Sequence, residues 1–264
     1  ITPPTPETRR ALAVAVARQG DMRLAAQRDL VGARSDYMQA RSMLADVLAT
    51  DGARTDIKRD LSLAHERAGD ALLQAGEVDD AAKEFAACLK LRRELVAHDG
   101  SNSEWRRDLS VALERIGAVD SLQGRHREAS ASLDEALRLR EATLAEDPGS
   151  VVAARDLAIL WMRLGQAQAA PTGAQLSAVD AAYAKAISLL TPLVEQAPAE
   201  SRWRRDLAVA YAERGQARER AGKISDARGD WSAALDLVIK LRAHAPDDVQ
   251  LAQDETWLKD RLKR

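Results

Sequence analysis

The 264-residue sequence predicts an all-α chain, an α-solenoid of helix-turn-helix repeats closed by a C-terminal capping helix. Three observations carry that prediction. The first is a recurring cluster. Lys58-Arg59-Asp60-Leu61-Ser62 returns as Arg106-Arg107-Asp108-Leu109-Ser110, then as Arg155-Asp156-Leu157 and Arg204-Arg205-Asp206-Leu207, at spacings of 48, 48 and 50 residues. The second is a glycine nine residues after each aspartate: Gly69, Gly117, Gly165 and Gly215, with Gly20 as a weaker first member. A fixed period in this range marks stacked supersecondary units, none of which buries its apolar side alone. The third is composition, 46% hydrophobic and 30% charged but only 3% aromatic. The core must come from Ala, Leu and Val, and the first two favour closely packed helices over sheets.

Taken in order, Ile1 to Pro4 is a Pro/Thr stretch that reads as the end of a linker. Thr5 is placed to cap the first helix, with Pro6 at its first position. Helices are expected over about 7–27 and 31–49. This first unit lacks the aspartate and a second glycine, as terminal repeats do. In later units Thr55, Ser103 and Ser201, five residues before the aspartate, are expected as N-caps; Ser150 stands one residue further off. Gly76, Gly124 and Gly222 close the first helix of three units. In the fourth, Pro171-Thr172-Gly173 supplies the turn and holds two extra residues. The second helices stop at Asp99-Gly100, Asp147-Pro148, Ala197-Pro198 and Ala245-Pro246. The expected organisation is one array with repeats at about 5–52, 53–100, 101–148, 149–198 and 199–247, and a cap over 248–264.

The spacing inside each unit resembles the tetratricopeptide repeat (TPR). Trp161-Met162-Arg163-Leu164-Gly165 matches that family's opening W-x2-L-G. A small residue follows twelve positions after the glycine (Ala81, Ala129, Ala227; Val179 in the longer unit). A large one comes four later (Phe85, Leu133, Tyr183, Trp231), and a small one three beyond it (Cys88, Ala136, Ala186, Ala234). Small, large, small lets two helices cross closely without a void. The sequence departs from the family in two ways. Leu72, Asp120, Gln168 and Arg218 stand where a tyrosine is expected, and the unit is about 14 residues longer than the family's 34. Seven extra residues per helix is close to two turns, which lengthens the helix without rotating its buried face.

The resemblance implies a right-handed TPR-like solenoid whose inner face, lined by the first helix of each unit, binds a protein or peptide. Carried over, its groove positions are Leu63, Glu66, Asp70, Leu73 and Gln74; Val111, Glu114, Ala118, Ser121 and Leu122; Ile159, Met162, Gln166, Ala169 and Ala170; Val209, Ala212, Gln216, Glu219 and Arg220. Long-helix arrays of this kind are appended to bacterial signalling proteins such as Ser/Thr kinases. A recruitment or sensory domain is therefore the leading expectation, with a self-association scaffold or a small-ligand sensor as alternatives. Arg10, Arg59, Arg107, Arg155 and Arg205, ten residues before each glycine, form a row along the rim. That row either receives an acidic segment or is neutralised between repeats by Asp60, Asp108, Asp156 and Asp206. A second row, Arg18, Arg67, Arg115 and Arg163, is the expected inter-repeat partner of those aspartates.

Other functions find little support. A balance of 39 basic and 41 acidic residues argues against a nucleic-acid binder. His65, His98, His126 and His244 are scattered, and no phosphate loop, metal-ligand spacing or nucleophile elbow occurs. No catalytic, metal or cofactor site is expected. Cys88 falls in a small-residue packing slot and reads as an inert thiol. Trp105, Trp161, Trp203, Trp231 and Trp257, with Tyr37 and Tyr183, read as core. The sequence contains no run of 18 apolar residues and no signal peptide, so no membrane insertion is expected. With no Met at position 1, the chain is expected to be part of a longer protein, and neither side of the membrane is favoured.

Overall fold

The computed structural model describes residues 5–50, 52, 54–169 and 176–263. The Ile1 to Pro4 linker, the Pro171-Thr172-Gly173 turn and groove position Ala170 lie outside the described residues. Regular structure among the described residues is entirely helical. It comprises α1 (Pro6–Met22), α2 (Leu30–Thr50), α3 (Thr55–Gln74), α4 (Val78–His98), α5 (Ser103–Leu122) and α6 (His126–Glu146). The remaining helices are α7 (Val151–Ala169), α8 (Leu176–Gln196), α9 (Ser201–Arg220), α10 (Ile224–His244) and α11 (Val249–Lys263). The chain forms two compact units, Ile1–Ser132 and Leu133–Arg264. In the first, α1 pairs with α2 and α3 with α4, α2 packs on α3, and α4 packs on α5. In the second, α7 pairs with α8 and α9 with α10, α8 packs on α9, and α10 carries α11.

The repeated glycines set how closely paired helices approach. A Cβ on Gly69 would lie 2.5 Å from Phe85, on Gly165 2.8 Å from Tyr183, and on Gly215 2.4 Å from Trp231. On Gly20 it would lie 2.7 Å from Tyr37. Each buried ring of the second helix thus rests on the bare backbone of the first. The pairing of small with large read from the sequence is a direct contact.

Turn chemistry follows the second glycine. Gly76, Gly124 and Gly222 take φ of +80°, +75° and +76°. The N–H groups that follow them reach back to Leu72, Asp120 and Arg218 carbonyls at 2.9, 2.7 and 2.9 Å, as in a Schellman cap. The first hairpin has no such glycine, and its turn is built differently. α1 runs into a π-helical turn, Arg23–Gln27, and Arg28 takes the left-handed conformation at φ 52°. Gly20 precedes its ring, Tyr37, by 17 residues, whereas Gly69–Phe85 and Gly215–Trp231 span 16. A π turn accommodates one inserted residue in a helix, and here it lies within that longer interval.

The N-caps need correcting by one position. Thr5 Oγ1 does accept the Thr8 N–H at 3.2 Å, and Ser150 Oγ accepts that of Ala153 at 3.3 Å. Ser103, however, is already helical: Asn102 precedes it and accepts the Trp105 N–H at 3.1 Å. Asn is at least as good a cap as Ser, and it comes first. Thr55 and Ser201 are likewise first helical residues, behind Arg54 and Glu200.

The hairpin centres come in two kinds. Between α3 and α4, Arg92 is 1% exposed. It donates to Glu66, to the Asp108 carbonyl at 2.7 Å and to Ser62 Oγ at 3.4 Å. In α5, Ser110 and Glu114 are also buried; in the second unit Arg140 is buried and donates to the Asp156 carbonyl. In the other units the matching trios are apolar: Ala13, Ala17 and Leu44; Ala158, Met162 and Leu190; Ala208, Ala212 and Val238.

Candidate functional site

The last of these trios is the smallest, and a pocket opens above it. α9 and α11 are tied by Arg205 to Asp248 at 2.8 Å near their starts and by Glu219 to Arg261 at 2.6 Å near their ends. Between the two ties lies a cavity of about 220 Å³. Ala208, Ala212 and Val238 stand where Ser62, Glu66 and Arg92 fill the α3–α4 hairpin. Close packing then leaves space unless another group enters. Leu241, Leu251 and Leu258 complete an apolar floor and Trp257 forms part of the wall. Trp257 is itself held by an edge contact to Trp231, centroids 6.3 Å apart, and by Arg261 over its ring at 5.2 Å.

Four polar side chains, Arg205, Glu213, Gln216 and Asp254, border this floor. Glu213 makes no hydrogen bond or ion pair with any described residue. Burial raises its pKa above the ordinary carboxylate range, and the more distant Arg220 only partly opposes that rise. Asp254 is the sixth residue of α11, the place that Asp60, Asp108 and Asp206 hold in α3, α5 and α9. Those three each accept an arginine of the preceding first helix, whereas Asp254 accepts only the Gln250 amide, at 2.9 Å. Arg205, which would supply the next pair, instead meets Asp248, the residue that caps α11 by accepting the Leu251 N–H at 3.1 Å.

The rim arginines are engaged with neighbouring repeats. Arg10 meets Asp60 at 2.6 Å and Asp56 at 2.8 Å; Arg59 meets Asp108 at 2.9 Å and Glu104 at 3.0 Å; Arg155 meets Asp206 at 2.7 Å. Arg107 is not free either. This geometry favours pairing between repeats over reception of an acidic segment. The second arginine row does not share those aspartates. Arg67 pairs with Asp21 and Arg115 with Asp70, both at 2.9 Å, so the partner is the residue just after the glycine of the preceding first helix. The two rows stand eight residues apart on the helix, about 12 Å, too far to share one carboxylate.

The expected groove residues therefore separate into groups. Glu66 and Asp70 are held by Arg92 and Arg115, Glu114 is buried and engaged, and Met162 is buried. Leu63, Val111, Ser121 and Ile159 are half-buried and Gln166 is exposed. Arg205, Val209, Ala212 and Gln216 come together at the pocket. Sequence reasoning missed Glu213 and Asp254, and also Arg92 and Arg140. The signal for the buried arginines was present: Phe85, Cys88, Arg92 and Leu95 follow the three- and four-residue spacing of a buried face.

Elsewhere the titratable groups have structural explanations. Glu84 is nearly buried, which alone would raise its pKa, but His65 at 2.6 Å and Arg41 bring it below the usual carboxylate range. Desolvation pushes the Cys88 thiol up to about 12. Among the described residues no group of three or more His, Cys, Asp or Glu side chains is placed to hold a metal. No described helix is long and apolar enough to cross a membrane.

No protein-family model matches this sequence, and no curated protein matches it. Among solved structures, BtubC (BKLC) from P. vanneervenii is similar over 93% of this chain and 94% of its own, at 14% identity and a TM-score of 0.59. The putative kinesin light chain of Podosopora anserina, described as having nearly identical TPR-like repeats, aligns over 89% and 98% at 14% identity and a TM-score of 0.46. PilF of Pseudomonas Aeruginosa aligns over 96% and 92% at 18% identity and a TM-score of 0.44. With the stacked glycine-and-ring hairpins, the first of these likenesses makes the fold an all-α, TPR-like helical-repeat solenoid.

Proposed function

We propose that the chain is a non-catalytic module that binds a peptide segment of a partner protein, and that the pocket between α9 and α11 is where it does so. The carrying observation is the contrast along the first helices. The acidic groove residues Glu66 and Asp70 of α3 and Glu114 of α5 are taken up by internal partners, whereas Val209, Ala212 and Gln216 of α9 border an open apolar cavity. Its volume of about 220 Å³ is below the roughly 300–1,000 Å³ of pockets that enclose small molecules. It suits one side chain of a longer ligand. A surface held by helix packing and two ion pairs loses little conformational entropy on binding.

The proposal includes one array with repeats at about 5–52, 53–100, 101–148, 149–198 and 199–247 and a cap over 248–264. It also includes recruitment within a larger signalling protein, which the resemblance to long-helix TPR arrays supports. The test is selection of peptides from a random displayed library on the wild-type chain, followed by titration against Ala212→Leu, which fills the cavity. Selected peptides should lose most of their affinity for the variant. Equal affinity for both chains would overturn the assignment.

A further inference from the structure

The chemistry of the pocket narrows what it accepts. Arg10, Arg59 and Arg155 each lie against the aspartate at the sixth position of the next first helix, at 2.6 to 2.9 Å. At α11 that arrangement is interrupted. Arg205 turns to Asp248, and Asp254 borders the cavity without an arginine. Glu213, on the α9 side, brings a second carboxylate that makes no hydrogen bond or ion pair with a described residue. The Arg205–Asp248 pair is neutral as a unit, so the site holds two carboxylates without an ion-pair partner over an apolar floor.

Resting on the peptide-binding reading above, we propose that the pocket takes an arginine side chain of the bound peptide, its guanidinium meeting Asp254 and Glu213 where the chain's own arginine is missing. The aliphatic stem would lie over Ala212 and Leu258, as long cationic side chains cover apolar surface while their heads stay polar. Arginine suits the site better than lysine because a planar fork can address two carboxylates at once, whereas an ammonium is a point charge. Glu213 makes no hydrogen bond or ion pair with a described residue and Arg220 offsets its burial only in part, so a guanidinium of the ligand would complete its compensation.

The experiment titrates the isotopically labelled chain with N-acetyl-argininamide, N-acetyl-lysinamide and the uncharged N-acetyl-norleucinamide, following the Trp257 indole N–H by NMR. Argininamide should bind about tenfold more tightly than norleucinamide, with lysinamide between them. Glu213→Gln combined with Asp254→Asn should reduce it to the norleucinamide level while leaving the melting transition cooperative. Equal binding of argininamide and norleucinamide, or unchanged argininamide binding by the double variant, overturns the arginine assignment. That failure is distinguishable from failure of the parent reading. If library peptides still lose affinity for Ala212→Leu, peptide binding stands and only the arginine assignment falls; if they do not, both fall.

Discussion

Hairpins α3–α4 and α9–α10 share one plan, a glycine against a ring and a rim arginine tied to the element that follows, yet their centres differ in kind. In the first, Ser62, Glu66 and Arg92 fill the space with a hydrogen-bonded ion pair. In the second, Ala208, Ala212 and Val238 leave it open. The Ala158, Met162 and Leu190 of α7–α8 show a third solution, an apolar filling. One scaffold position is thus plugged by charge, plugged by oil or left hollow, and the hollow one is where the expected groove residues gather.

The sharpest way to break this comparison is to unplug the charged centre. Arg92→Ala leaves Glu66 without its buried partner and should cost about 3–5 kcal/mol in urea unfolding. Ser62→Ala/Glu66→Met/Arg92→Leu, which installs the α7–α8 trio, should recover that loss and fall between neutral and about 4 kcal/mol more stable than wild type. If the triple variant is as unstable as the single one, the three positions are not equivalent. Next in size is Gly215→Ala. Its Cβ would fall 2.4 Å from Trp231 Nε1, so overpacking of about 1–3 kcal/mol should exceed the roughly 1 kcal/mol gain in helix propensity. A variant as stable as wild type would show that the ring is not held against the backbone.

The pH response sharpens the comparison further. The folded chain raises the Glu213 pKa, so it holds that proton more tightly than the unfolded chain. The resulting stability is fully present below the ordinary carboxylate pKa and is lost as pH rises through the raised value. Glu213→Gln should therefore melt higher than wild type at pH 7 to 8, and the difference should shrink towards pH 4. A constant difference would contradict the assignment. The smallest effect belongs to the rim. Arg155 is about a third exposed in its pair with Asp206, so Arg155→Ala should cost about 0.2–1 kcal/mol, less at high salt. A larger, salt-independent loss would mean that the row is more than surface pairing.

The fold was legible because its punctuation is physical. Gly76, Gly124 and Gly222 are needed for left-handed turns, and Gly69, Gly165 and Gly215 for ring contacts, so their spacing reports hairpins directly. The first hairpin was legible only as degenerate. Its π turn and left-handed Arg28 arise from one inserted residue, which composition does not reveal. The Ser103 cap missed by one position because Ser103 and Asn102 are adjacent and both competent. The site was half legible: Arg205, Val209, Ala212 and Gln216 were expected to line a groove. Whether a groove is open, however, depends on what the second helix places beneath it, and Arg92 against Val238 decides that. Asp254 could have been found by aligning α11 as a further first helix; Glu213 matters because it borders the cavity without a hydrogen bond or ion pair to a described residue, which depends on the packing of α11.

The claim underlying the proposal is that the centre of α9–α10 is hollow where that of α3–α4 is full. The urea-unfolding free energy of Ala212→Leu measures this most directly. A leucine entering empty apolar space should raise stability by about 0.5–2 kcal/mol. A loss of about 1–3 kcal/mol, the signature of a side chain forced into occupied volume, would contradict it.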